Sequence, residues 1–185
     1  KQNFKDDDFY VGKSNYFTLE LMNKWPKWEK NFLNINGAKY SGKTHLASIF
    51  LNKFNGIKID SKLLKNENLK DIKLHQNIIL EDLDQIQDEK LLYTLFNIID
   101  QDNKFLIITS LKPITEIEFH LEDLRSRTKN CLLATIENPD DELMFALILK
   151  NLSDRQITID EKLIDFIIKR IERSYGKIFE FIYKI

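Results

Sequence analysis

Residues 37 to 44 read Gly37-Ala38-Lys39-Tyr40-Ser41-Gly42-Lys43-Thr44, a G-x-x-x-x-G-K-[ST] pattern, and this octapeptide restricts the fold more than any other stretch of the chain. The pattern belongs between a strand and a helix. Phe32-Leu33-Asn34-Ile35-Asn36 before it reads as a strand, and Leu46, Ile49 and Phe50 after it recur at helical spacing. The physical logic is a phosphate cradle. Gly37 and Gly42, with Ala38 and Ser41 between them, let the backbone fold so that successive N–H groups and the helix N-terminus point at a β-phosphate. Lys43 supplies a point charge for the β and γ oxygens, and the Thr44 hydroxyl ligates Mg2+. Glycine is scarce, five residues in 185, yet two of the five fall within six positions. A glycine-rich turn that merely caps a helix is the weaker account of these residues.

The remaining pattern alternates. A helix is expected from about 14 to 25, capped by Ser14, with Phe17, Leu21 and Trp25 on one face and Pro26 as its stop. Strands are expected at 57–60, 78–80, 105–108 and near 131–135, with a helix over 88–99. Continuous apolar strands separated by helices imply a parallel sheet covered on both faces. After Asn138-Pro139 only helical patterns follow, near 140–152, 160–172 and 175–185. Residues 1–137 are therefore expected to form an α/β nucleotide-binding domain and 138–185 a small helical appendage.

Composition excludes several classes. With 43% hydrophobic and 31% charged residues the chain reads as soluble and globular, and no apolar run approaches the ~18 residues of a membrane span. The net charge of −1 provides no bulk positive field, so any contact with DNA is local or indirect. Cys131 is the only cysteine, which precludes an internal disulfide, and no signal-like apolar stretch follows Lys1; a reducing cytoplasm is expected. His45, His75 and His120 lack metal-ligand spacing, and Cys131 reads as a buried structural thiol. Trp25 and Trp28, flanking Pro26, read as core and loop packing rather than a partner-binding knob.

Ligands of such sheets sit beyond the carboxyl ends of the strands. There Glu81-Asp82 follows Ile78-Ile79-Leu80, and the expectation is that one carboxylate holds Mg2+ together with Thr44 while the next orients the attacking water. Thr109 and Ser110 end the next strand as sensors of water or γ-phosphate, or simply as strand terminators.

Three ordered segments carry a resemblance. Asp7-Asp8-Phe9-Tyr10-Val11-Gly12-Lys13-Ser14-Asn15, then Ser41-Gly42-Lys43-Thr44-His45-Leu46, then Asp123-Leu124-Arg125-Ser126-Arg127 resemble the AAA+ module of the DnaA family of bacterial replication initiators, most closely its shorter Hda-type regulators. The resemblance spans nearly the whole chain. It implies an AAA+ P-loop NTPase fold: a five-stranded parallel sheet flanked by helices, plus a small helical lid, binding ATP or ADP with Mg2+. Phe9, Val11, Gly12 and Asn15 would lie against the adenine, and His45 would pack behind the phosphate loop as part of the nucleotide site. The chain has five arginines against 23 lysines, and Arg125 and Arg127 lie two apart. Only a planar guanidinium forks onto phosphate oxygens, and by the family pattern Arg127 is the finger that reaches the nucleotide of a neighbouring subunit, while Arg125 supports the loop. The alternative is a surface arginine paired with Asp123.

The departures from the family carry equal weight. Glu81 stands where the family has the Mg2+-holding Asp, and Lys177, within Arg173-Ser174-Tyr175-Gly176-Lys177, stands for the sensor 2 arginine without its bidentate fork. Weak intrinsic hydrolysis is the expectation. The connector between Asp60 and Asn77 is short, no helix-turn-helix pattern follows the lid, and Lys1 to Lys5 do not resemble a clamp-binding peptide. The resemblance implies the DnaA initiator as partner, admits the sliding clamp and a homo-oligomer, reaches DNA only indirectly and involves no membrane. Two functions stay open: a regulator that promotes hydrolysis of DnaA-bound ATP through Arg127, or a self-sufficient ATPase of helicase-loader type.

Overall fold

The computed structural model describes residues 9–184, so Asp7, Asp8 and the segment from Lys1 to Lys5 lie outside the described residues. Five strands, β1 (Phe32–Gly37), β2 (Ile57–Asp60), β3 (Asn77–Glu81), β4 (Phe105–Ser110) and β5 (Leu132–Ile136), form one parallel sheet in the order β2-β3-β4-β1-β5. Every residue of β1 is buried, because the strand lies between β4 and β5 with helices on both faces.

Alternation along the strands separates two apolar cores. Leu33, Ile35, Ile79 and Ile107 face α2 (Lys43–Phe54), where they meet Leu46, Ala47 and Phe50. Ile78, Leu80, Leu106 and Ile108 face the other way, toward Leu92, Leu95, Phe96 and Ile99 of α4 (Glu89–Gln101). The helices α3 (Asn68–Leu74) and α5 (Glu122–Thr128) complete that second layer through Ile72 and Leu124. Cys131 packs in the same core, and burial pushes its thiol up to about 12.

The first helix departs from its expected pattern. α1 spans Tyr16–Asn23 and buries Thr18 and Met22; of the 17/21/25 face, Leu21 and Trp25 pack on the α2-side core while Phe17 is left 59% exposed. Ser14 does not cap the helix; its hydroxyl bonds the Tyr175 hydroxyl at 3.1 Å. Trp25 lies against Phe54 with ring centroids 4.3 Å apart, and the Trp28 indole N–H donates to the Leu21 carbonyl at 2.7 Å, which places both tryptophans in packing roles.

Three helices follow the sheet: α6 (Asp141–Asp154), α7 (Glu161–Ile168) and α8 (Tyr175–Lys184). Asp140 and Asp160 cap the first two by accepting from the Leu143 and Lys162 amides. Met144, Ile148, Leu152, Ile164, Ile168, Ile178 and Ile182 form a third cluster among these helices alone, while Leu143 and Leu147 of α6 pack on the α2 side of the sheet. Among the described residues no helix is long and apolar enough to cross a membrane.

Candidate nucleotide site

The loop joining β1 to α2 borders a cavity of about 960 Å3 whose opposite walls are α6 and α8. Steric limits fix the loop. A side chain at Gly37 would bring a Cβ within 2.8 Å of the Ile136 carbonyl oxygen, and Gly42 adopts φ 93°, where residues with a Cβ are strained. The loop then turns directly into α2, and the first N–H groups of a helix have no partner within it, which leaves donors for an anion. Ser41 lines the cavity and its Oγ is buried without a hydrogen-bond partner, an orphan that a polar ligand would satisfy.

Lys43 folds back over the loop, its Nζ donating to the carbonyls of Gly37 and Ala38 at 2.8 Å each. Burial lowers its pKa, and the carboxylates of Asp82 and Asp84 partly oppose that shift. Asp82, Asp84 and Thr44 all stand on the cavity wall, so the oxygen donors that could meet a hard cation lie beside this ammonium. Among the described residues no group of three or more His, Cys, Asp or Glu could hold a metal unaided.

The strand tips differ from expectation in detail. Glu81 turns to Lys58 of β2, 3.1 Å away, and is absent from the cavity wall, whereas Asp82 and Asp84 reach it. Asp82 takes a left-handed conformation, φ 52°, that is held from both sides: its amide donates to Thr109 Oγ1 at 3.0 Å and its carbonyl accepts from Ser61 Oγ. Thr109 is thus fully buried and spends its hydroxyl on Asp82 instead of facing the cavity as a sensor. Ser110 likewise serves the scaffold, accepting from Asn34 and donating to the Lys112 carbonyl. Asp84 accepts from the Leu111 amide at 2.7 Å, tying the segment after β3 to the one after β4.

At the other end, Phe9 stands edge-on to His45, centroids 5.3 Å apart, and covers Gly42. His45 lies on the cavity wall beside the loop. Asn15 organises the 10–12 segment: its Oδ1 accepts from the Gly12 amide and its Nδ2 donates to the Tyr10 carbonyl. Gly12 rests on Leu143, whose side chain would meet a Cβ at 3.4 Å. Val11 projects away, half exposed and outside the cavity, so Phe9, Tyr10 and Asn15 carry this end of the site.

Lys177 does not face the cavity. Its Nζ pairs with Glu180 at 3.1 Å, and at about 100° per residue it stands roughly 160° around α8 from Phe179, which does line the cavity. The α8 residues on the cavity wall are Tyr175, Phe179 and Tyr183, spaced four apart on one face. Arg173 is also engaged elsewhere, bidentate on Asp141 at 2.7 and 2.8 Å. Arg127 lies outside this cavity too: it pairs with Asp100 of α4 and sits over the Tyr93 ring, 5.2 Å from its centroid. Arg125 pairs with Glu122 at 3.3 Å, so neither arginine takes Asp123.

Asp84, Tyr40, Phe179 and Tyr183 join the site without having been singled out in the sequence. For the last two the signal was present, because Tyr175, Phe179 and Tyr183 make an aromatic stripe distinct from the aliphatic Ile178 and Ile182.

Two curated proteins illustrate the likeness of the whole chain to known sequences. DnaA of Thermoanaerobacter sp. (strain X514) is 30% identical over 195 residues, covering 91% of this chain and 44% of that protein. DnaA of Borreliella afzelii (strain PKo) is 25% identical over 198 residues, covering 92% of this chain and 41% of that protein. The chain is homologous to DnaA. It spans about two fifths of the length of these curated relatives. Solved structures agree on the fold: AMPPCP-bound DnaA from Aquifex aeolicus superposes with a TM-score of 0.75 at 20% identity, covering 95% of this chain and 62% of that one. Domain III of Thermotoga maritima DnaA gives 0.74 at 20% identity, covering 96% and 86%. The Thermotoga maritima RuvB branch migration motor gives 0.70 at 16% identity, covering 98% and 63%, so the DnaA-like fold is that of the AAA+ ATPases. No family model matches the chain.

Proposed function

We propose that this chain is a nucleotide-binding AAA+ regulator of chromosomal replication initiation that acts in the manner of Hda, promoting hydrolysis of DnaA-bound ATP through Arg127. The observation that carries the proposal is a division of labour: the phosphate loop and Lys43 border the cavity, while Arg127 lies on a different helix layer, outside it. ATP or ADP would take its phosphates on the loop amides and Lys43 and its base near Phe9, Tyr10 and Leu143. Thr44 and Asp82 would hold Mg2+, which supplies charge neutralisation at the phosphate oxygens. Residues 138–185 would serve as the lid. The AMPPCP-bound DnaA structure supports the nucleotide reading, and homology to DnaA supports partners in the replication machinery: the initiator itself, and the sliding clamp as platform.

Weak intrinsic turnover follows from the lid. Lys177 is paired with Glu180, and the α8 residues on the cavity wall, Tyr175, Phe179 and Tyr183, are aromatic, so α8 offers the cavity no cation. Glu81 adds a second reason, since its Oε2 pairs with Lys58 and the residue does not line the cavity.

A specific observation favours a second reading. Asp82 and Asp84 both stand beside Lys43, as a self-sufficient ATPase of helicase-loader type would require. One experiment separates the two: single-turnover hydrolysis of DnaA-bound ATP, with clamp and DNA present, comparing wild type, Arg127→Ala and Arg125→Ala. The regulator reading expects a loss of stimulation of about 10³-fold or more in Arg127→Ala, with the protein's own ADP affinity unchanged. Full stimulation by Arg127→Ala, together with rapid ATP turnover by the isolated protein, would favour the ATPase.

A further inference from the structure

The phosphate loop contains two residues at positive φ, and only one of them is glycine. Gly42 occupies φ 93° at little steric cost. Tyr40 sits at φ 68°, in the left-handed region, where a residue with a Cβ is disfavoured and an aromatic has no local hydrogen bond to compensate. Something outside the loop has to hold it. The Tyr40 ring lies flat on Phe179 of α8, with centroids 4.0 Å apart and an interplanar angle of 8°. Lys39 Nζ stands 5.1 Å from the Tyr40 ring centroid, and Phe179 continues onto Tyr183 at 4.1 Å. All three aromatics line the cavity. The lid's own core is built from other residues, Ile178 and Ile182 on this helix, so Phe179 is not a member of the cluster that holds the three helices together.

We infer that Phe179 is a positioning residue for the phosphate loop: by stacking on Tyr40 it maintains the left-handed turn that shapes the loop for phosphate, and so couples nucleotide affinity to the seating of the lid. The inference rests on the nucleotide reading of the cavity. It assigns a role to the lid that is independent of charge, since the contact is made by ring faces and neither Lys177 nor Gly176 takes part. Glycine adopts φ near +68° without needing the stack. The coupling therefore has a distinctive signature, because removing the strain at Tyr40 removes the need for Phe179.

The test is a double-mutant cycle read by equilibrium and stopped-flow binding of fluorescent ADP to wild type, Phe179→Ala, Tyr40→Gly and the double variant. Phe179→Ala is expected to weaken ADP about 3- to 10-fold, chiefly through faster release. Phe179→Leu, which keeps apolar bulk but removes the ring, is expected to match it, and Phe179→Tyr to bind as wild type. In the Tyr40→Gly background the same Phe179→Ala change is expected to alter affinity by less than about twofold. An equal loss in both backgrounds would overturn the inference, since Phe179 would then act on the lid or the ligand directly. No loss in the Tyr40 background would overturn it as well. Absence of measurable ADP binding by wild type is a different failure, that of the nucleotide reading itself.

Discussion

Lys43 is the residue whose surroundings bear most directly on how the site responds to pH. Burial disfavours its ammonium, so in the free protein it releases a proton at lower pH than an ordinary lysine, with Asp82 and Asp84 opposing. A bound phosphate favours the ammonium, so binding takes up a proton on the alkaline side. ADP affinity measured by titration calorimetry is therefore expected to fall as pH rises through the lowered Lys43 pKa, before the ordinary lysine range. Lys43→Ala should flatten that limb and cost about 10- to 150-fold in affinity, equivalent to roughly 1.5–3 kcal/mol for a charge-assisted contact. The lysine was legible because the octapeptide fixes its neighbours within the chain itself. Glu81 and Thr109 were not legible in the same way. Both end strands, where the side chain's partner is set by another element: Lys58 of β2 claims Glu81, and the amide of the left-handed Asp82 claims Thr109. Chemistry at a strand tip can be guessed from sequence, but its direction depends on tertiary neighbours.

At the scale of elements, β3 and β4 are readable because they are buried on both faces and their apolar runs are nearly continuous, whereas β2 and β5 at the sheet edges keep exposed positions and α1 turns Phe17 outward. Amphipathic pattern alone placed Phe17 inward, yet α1 covers the edge of the sheet beside β5, where the smaller Thr18 fits and its hydroxyl faces the Thr135 carbonyl. α8 shows how a two-residue offset changes a functional reading. Alignment of a short segment brings a cation to Lys177, but helical geometry puts Tyr175, Phe179 and Tyr183 on the cavity wall and leaves Lys177 paired with Glu180. Lys177→Ala is accordingly expected to leave ADP and ATP affinity within about twofold of wild type, the effect of an exposed pair worth under ~1 kcal/mol. A loss of tenfold or more in the same fluorescence titration would return the sensor role to that lysine.

For the whole molecule, the sheet divides the interior into two cores that share no side chains, and the chain carries one probe of their integrity. Cys131 lies in the α4-side core with its thiol pushed up to about 12, so native protein at pH 8 should react with a thiol reagent only as fast as that core opens. The labelling rate should rise with denaturant in step with unfolding followed by circular dichroism; rapid labelling of folded protein would show that this side of the sheet is locally loose. The three C-terminal helices have no comparable independence. α6 contributes Met144, Ile148 and Leu152 to the helical cluster and Leu143 and Leu147 to the sheet's α2 side. α6 thus belongs to two apolar clusters at once. Parting α7 and α8 from the sheet would therefore expose apolar surface on both sides of α6.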